Sequence, residues 1–555
     1  MTWFDERPWL ATAGKSADSL VPVPESATLE LLARNVDQYP DRTALHYFGW
    51  EVTWAELDRM ADAFAAHLQD QGFGAGGRLG LYLQNVPHFV VATWGAWKAG
   101  GAVVPLNPMY KDELLHVFED AGVTALVTSA ALYLKQSKPY ADTLPLVFTC
   151  QERDWAVDQP ESVFGKFPEH LPTGQADFRT VVEENLGRTP DRTAAQALTA
   201  DDVALIGYTS GTSGRSKGAG VLHRGLTSNG RLTARNQQLE TSDAVFTLAP
   251  VFHITGFCSQ FITSAAAGST LVMNYRFEPG TALQLFRATR PAFMAGPSTA
   301  YMAMLAHPDF DADAFSSIRS CMSGGAALPA SVVERIRAKT GRYVRQGYGL
   351  TETTAQCAVV PMSLEAPVDE ASGNLSCGLP LETAMVRIRD EEGVEVGPNE
   401  VGEICVSGPM VIREYLNLPE ATVEDIPDGE LRTGDVGFMD EAGWLFIVDR
   451  KKDMINASGF KVWPREVEDM LYTLPEVLEA AVVGMPDEYR GESVVAFITL
   501  RPGTELTPEQ VIEYCRKHLA AYKAPHTVEI VDELPKTASG KILRREMKKV
   551  AEAKS

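Results

Sequence analysis

Cysteine is scarce in this 555-residue chain, and the seven that occur (Cys150, Cys258, Cys321, Cys357, Cys377, Cys405 and Cys515) form no CxxC pair. That scatter excludes a disulfide framework or a cysteine-built zinc site and predicts free thiols in a reducing compartment. Long apolar runs are missing as well. No stretch approaches the roughly 20 apolar residues that cross a bilayer, so no transmembrane segment is expected. The opening MTWFDERPWLATAGKSADSL has no basic start followed by an apolar run, which argues against a signal peptide and for a cytoplasmic protein. Basic charge is in deficit: 50 Lys and Arg against 73 Asp and Glu leave a net charge of −23. Such a balance excludes broad nucleic-acid binding, although local cations can still hold phosphates. Short repeats and low-complexity tracts are absent too.

What is present is ordinary for a soluble protein, with 45% hydrophobic residues, and long enough to need two or more cores. Helical and strand-like patterns alternate. TWAE at 53–56 fits a capping box, and Leu57, Met60, Ala61, Phe64 and Leu68 follow at helical spacing. Strand-like runs recur at 124–129, 203–210, 244–253 and 269–274. The rhythm predicts an α/β fold with helix-covered sheets. Residues 150–200 are poorer in periodic apolar positions and are expected to form a surface excursion. The charged DRKKD at 449–453 suggests a boundary: a large N-terminal domain of several subdomains over 1–449, then a small mobile α+β domain over 450–555. In the latter, Pro464 suits a helix start, LEAAVVGM and SVVAFITL suit strands, and TPEQVIEYCRKHLAAY suits a helix.

The segment Tyr208-Thr-Ser-Gly-Thr-Ser-Gly-Arg-Ser-Lys217-Gly follows a strand-like run. Its glycines let backbone N–H groups turn toward a phosphate, its hydroxyls add donors, and Lys217 adds a point charge. It is not a Walker loop, because Ser216 and Gly218 stand where that motif needs glycine and Ser/Thr. Gly72, Gly74 and Gly77 match GxGxxG but follow a helix and precede a strand, the reverse of the dinucleotide-binding order. A helix-to-strand turn is expected there.

With the downstream segments APVFHITG (249–256), SGGAA (323–327), QGYGLTET (346–353), LRTGD (431–435), DR (449–450) and PKTASGKILRR (535–545), the chain resembles the adenylate-forming superfamily. That superfamily includes acyl-CoA synthetases, peptide-synthetase adenylation domains and beetle luciferases, and the likeness is strongest to medium- or long-chain fatty-acid–CoA ligases. The resemblance spans nearly the whole chain. It departs at Ser213, where threonine is usual, and at Ser216, where proline is usual.

The resemblance implies activation of a carboxylic acid by ATP and Mg²⁺ to acyl-AMP, then transfer to coenzyme A. It assigns Thr209, Ser210, Gly211, Thr212, Ser213, Gly214 and Lys217 to the nucleotide phosphates, and Gly325, Ala326, Ala327, Gln346, Gly347 and Gly349 to the nucleotide pocket. Tyr348 then lies near adenine, Thr351 at the α-phosphate, Glu352 on Mg²⁺, Asp435 on the ribose and Arg450 near ribose or phosphate. Lys541 becomes the catalytic lysine, with Thr351, Glu352 and His253 as further catalytic residues, and Lys452 the hinge. Ser458, Gly459 and Phe460 border the coenzyme A tunnel, and His253, Gly256, Gly325 and Ala326 border the acyl pocket. His223 falls where a histidine is expected. Two other readings share these residues: an aryl or other carboxylate ligase that passes the adenylate to CoA, an amine or a carrier protein, and an inactive acyl- or nucleotide-binding protein. Peripheral membrane contact and a homodimer are compatible with all three. Lys536, Arg544, Arg545, Lys548 and Lys549 make the C-terminal end basic and are expected on a solvated helix face, with contact to the coenzyme A phosphates as the other reading.

Overall fold

A computed structural model describes residues 2–16, 22–111, 113–209, 216–326, 328–370, 373–457, 460–487, 491–537 and 542–552. Ser210, Gly211, Thr212, Ser213, Gly214, Ala327, Ser458, Gly459 and Lys541 lie outside them.

Among the described residues, two large sheets organise the N-terminal part of the chain. One runs, edge to edge, through Ala176–Asp177, Leu146–Cys150, Ala125–Ser129, Arg78–Tyr82, Ala102–Pro105, Val203–Thr209 and Lys217–Leu222. All its pairings are parallel except the last. The other runs through Leu379–Pro380, Ala358–Val359, Val344–Tyr348, Ser320–Ser323, Phe293–Ala295, Ala244–Phe246, Thr270–Met273, Thr43–Tyr47 and Trp50–Thr53. Helices cover these parallel strands, giving the expected α/β architecture.

The local signals act where the sequence places them. Thr53 caps the helix Trp54–Asp70, its hydroxyl accepting from the Glu56 N–H while the Glu56 carboxylate accepts from the Thr53 N–H at 2.9 Å. Gly72, at φ +84°, turns that helix toward the strand Arg78–Tyr82. Helix Pro87–Lys98 is buried on every side over residues 87–97, as a helix without a polar face must be. Gly95 lets it approach its neighbour, because a Cβ there would stand 2.8 Å from Cδ1 of Phe64.

Two expectations change. Residues 150–200 are not a surface excursion throughout: Phe164, Phe178, Val181 and Val182 are buried in the main core. Short helices, Glu161–Phe164 and Phe178–Glu184, carry these apolar residues, and elements so brief show little periodicity. The run at 244–253 is a strand only over Ala244–Phe246, and the His253 N–H then closes a turn onto the Pro250 carbonyl.

The buried residues of the main core extend to Phe446, and a second core begins at Ile455. The strand Val477–Asp487 alternates in the second unit. Ala480 and Val482 face one cluster; Ala481, Val483 and Met485 face another that includes Met547 of the helix Arg544–Glu552. Helices Pro464–Tyr472 and Pro508–His518 form where expected. A four-stranded antiparallel sheet, ending in Leu431–Met439 and Leu445–Arg450, leads from the first core to the second.

Candidate active site

A cavity of about 490 Å³ opens between the two cores. Gly325, Ala326, Gln346, Gly347, Tyr348, Gly349, Asp435 and Arg450 line one side, with Lys452 at the turn Lys451–Asp453. Glu468, Asp469, Glu479 and Thr537 belong to the other side.

Strand register builds its centre. Asp435 and Arg450 are cross-strand partners, and the Arg450 Nε lies 3.0 Å from Asp435 Oδ1. The Tyr348 hydroxyl donates to the other oxygen at 2.8 Å. Removal from water and the neighbouring Asp435 carboxylate both push the Tyr348 phenol well above its usual range. Asp435 in turn raises Arg450 further, against the effect of burial. Tyrosine, aspartate and arginine are thus held in one file, neutral, negative and positive. The buried Gln346 Oε1 has no hydrogen-bond partner among the described residues.

After Tyr348 the chain doubles back tightly. A Cβ on Gly349 would lie 1.6 Å from the Ala355 carbonyl oxygen, so only glycine fits. Thr354 and Ala355 adopt left-handed backbone at φ +52° and +84°, strain of the kind that collects at functional sites. The fold-back carries Thr351 against strand Val203–Thr209, where it occupies the space a side chain on Gly207 would need.

Glu352 joins a second constellation. Its Oε1 accepts from the Tyr415 hydroxyl at 2.9 Å, and the Lys217 ammonium sits 4.6 Å above the Tyr415 ring. Lys217 also pairs with Asp425 at 2.8 Å. Removal from water holds the Glu352 carboxyl above its usual range, opposed by the Tyr415 hydroxyl and by the Arg450 and Lys217 cations. Tyr415 and Asp425 escaped the sequence reading. No local motif marks either, since their hydrogen-bond partners lie 63 and 208 residues away along the chain. Thr209, at the end of its strand, pairs with Lys217.

Other residues fall elsewhere. His253 and Gly256 are not among those lining the cavity. His253 caps the short helix Ile254–Gly256, its Nδ1 accepting from the Thr255 N–H at 3.3 Å. A Cβ on Gly256 would strike the Pro250 carbonyl at 2.1 Å, so this glycine serves backbone packing. Phe460 stacks on Tyr522 with centroids 4.6 Å apart. Arg544 is not on a solvated face: it bonds Asp449, Asp453 and Glu468.

His223 is fully buried, with Nδ1 accepting from the Thr28 N–H at 3.3 Å and Trp97 against its ring. Burial lowers its pKa from 6.5 to about 4, with Asp202 opposing. Below pH 6.5 the unfolded chain takes up a proton that the folded chain refuses, so stability should fall as the pH drops from 6.5 toward 4. The loss attributable to this residue is roughly 3 kcal/mol. Denaturant melts of wild type and His223→Gln across that range check it: the variant should lose this part of the pH slope. An unchanged slope would contradict the assignment.

Residues 32–416 match the family model described as AMP-binding enzyme, and 466–541 match the AMP-binding enzyme C-terminal domain. The chain belongs to the AMP-binding enzyme family. It is 33% identical to a long-chain-fatty-acid–CoA ligase of Bacillus subtilis (strain 168), over 98% of each chain. A ligase of the same name from Yersinia pestis is 36% identical over 94% of each. Among solved structures, an anthranilate CoA ligase in complex with anthranoyl-AMP aligns with a TM-score of 0.84 at 26% identity, covering 97% of this chain and all of that one. Among the described residues, no helix of this AMP-binding enzyme is long and apolar enough to cross a membrane.

Proposed function

We propose that this chain condenses a medium- or long-chain fatty acid with ATP to give acyl-AMP and pyrophosphate, then passes the acyl group to coenzyme A. The observation that carries the reading is the Tyr348–Asp435–Arg450 file beside the cavity. A carboxylate with two acceptor oxygens suits a pair of ribose hydroxyls, the ring offers a face for adenine, and the guanidinium suits phosphate. Near-full-length likeness to ligases named for long-chain fatty acids supports the choice of acid.

Two negative groups must meet in the first step, the substrate carboxylate and the α-phosphate. Thr351 and Lys217 would bind and orient the phosphates, and Lys541 would stand between the reacting groups. Among the described residues no group of three or more His, Cys, Asp or Glu side chains could hold a metal by itself. The single carboxylate of Glu352 therefore fits a Mg²⁺ that arrives on the nucleotide and keeps mostly phosphate and water ligands. Such an ion would supply neutralising charge at the phosphates.

In the second step a thiol must reach the position the lysine held. In this reading the chain divides at 449/450, and the 450–555 unit turns about Lys452 to bring Ser458, Gly459 and Phe460 to the site. Gly459→Leu is expected to slow thioester formation at least about tenfold, by obstructing a narrow passage, while carboxylate-dependent exchange of pyrophosphate into ATP continues. Loss of exchange instead would count against the tunnel role.

The reading as a whole is tested by incubating fatty, aryl and short acids with ATP and Mg²⁺, with and without CoA, and weighing the products. Long-chain acyl-CoA is the expected product. The anthranilate ligase likeness makes an aryl-CoA the alternative, and the absence of any acid-dependent pyrophosphate release would end the proposal.

A further inference from the structure

The strands Val203–Thr209 and Lys217–Leu222 form an antiparallel hairpin whose last pair is Thr209 with Lys217. Ser216 immediately precedes Lys217, a member of the last described pair of that ladder. One helix, Glu113–Ala121, reaches both stems. Its buried face (Leu114, Val117, Phe118 and Ala121) is fixed in an apolar cluster with Tyr82 and Leu106, which makes it a rigid base. His116 Nε2 stands 3.1 Å from the Ser216 carbonyl oxygen, and since a carbonyl only accepts, the ring nitrogen is the donor. Asp120, four residues on and so on the same face, accepts from the Tyr208 hydroxyl at 2.7 Å. The His116 and Tyr208 rings meet edge to face at 6.2 Å. Asp120 also accepts from the Asn417 side chain, through its backbone carbonyl at 2.8 Å and a carboxylate oxygen at 3.2 Å. Asn417 follows Leu416, whose N–H donates to the Gly218 carbonyl, and Tyr415, the ring beneath Lys217.

We infer that the helix Glu113–Ala121 is a clamp on the nucleotide side of the site, with His116 and Asp120 as positioning residues that fix the stem ending in Lys217. Neither lines the cavity. His116 holds the residue immediately before Lys217, and Asp120 holds both the opposite stem and the segment carrying Tyr415. The pair therefore sets the Lys217 ammonium relative to Glu352. Ser216 lacks the ring by which proline restrains a chain, and the His116 bond restrains the same residue from outside.

The inference rests on the reading of the site as an ATP site, and its consequence is specific to the nucleotide. Phosphate contacts made equally in the bound and transition states change KM and leave kcat alone. In carboxylate-dependent pyrophosphate exchange, His116→Ala should raise KM for ATP about fivefold, the equivalent of one lost hydrogen bond. The His116→Ala/Asp120→Ala double variant should raise it about twentyfold. KM for the acid and kcat should stay within about twofold. His116→Gln keeps an N–H donor and should recover most of the loss, which a merely structural residue would not show. An unchanged KM for ATP, or equal rises for ATP and acid, would overturn the clamp. Hydrogen exchange at the Thr209 and Lys217 amides, measured without substrates, reads the clamp separately from catalysis. Unchanged exchange in His116→Ala overturns the clamp even in an active enzyme. Faster exchange in that variant, with no acid-dependent turnover by wild type, upholds the clamp and removes the functional reading.

Discussion

Lys541→Ala is expected to slow adenylation about a thousandfold while thioester formation from supplied acyl-AMP falls far less. A unit charge about 4 Å from its partner, in an effective dielectric near 20, is worth roughly 4 kcal/mol. At 1.36 kcal/mol per decade that gives about three decades of rate. Lys541 lies outside the described residues, but both ends of its segment are anchored. Lys536 bridges to Ile542, Lys536 Nζ pairs with Glu479 at 2.7 Å, and the Leu543 N–H bonds the Pro535 carbonyl at 2.8 Å. Thr537 and Ile542, just outside it, line the cavity. Single-turnover measurement of each half-reaction checks the prediction. Equal losses in both would refute the assignment of Lys541 to the first step alone.

Arg544→Ala should cost roughly 2–4 kcal/mol of stability, concentrated in the second core. The guanidinium takes Glu468 in a fork at 2.9 and 2.6 Å and turns its remaining nitrogen to Asp449 at 2.9 Å and Asp453 at 3.1 Å. Truncation leaves three carboxylates facing one another. Breaking a fully buried pair costs about 3–5 kcal/mol, and the lower figure used here allows for an Arg544 side chain that is 22% exposed. Arg544→Lys keeps the charge without the fork and should lie between. Denaturant unfolding followed through the C-terminal unit measures both. A loss below about 0.5 kcal/mol for alanine would show that solvent screens the cluster. Asp449 gives the cluster a further role. It also accepts from the Arg465 N–H at 2.7 Å, so one carboxylate at the end of strand Leu445–Arg450 grips two helices of the C-terminal unit. Any rotation about Lys452 has to release them.

Much of this was legible in the sequence because the signals are local. The Thr53 cap, the Gly72 turn, the helix beginning at Pro464 and the strands containing 478–485 and 493–500 each depend on residues within a few positions. The central file was legible by family resemblance, through Tyr348, Asp435 and Arg450. Contacts between distant segments were not. Tyr415 reaches Glu352 across 63 residues, and Asp425 reaches Lys217 across 208. His116 and Asp120 look like ordinary polar positions on an amphipathic helix until the hairpin packs beside them. Gly256 packs against the Pro250 carbonyl, a constraint that only three dimensions show.

The pairing of strand Thr43–Tyr47 with Thr270–Met273 has a consequence for biosynthesis. Leu45 lies opposite Leu271, so the first strand made is completed by one that emerges about 226 residues later. At about 5–20 residues per second, that interval is roughly 10–45 s. Throughout it the early strand has only its hairpin neighbour, Trp50–Thr53, and one edge stays open. During those seconds the open edge is a template on which two nascent chains can pair, so slower aggregation or faster synthesis favours the finished fold.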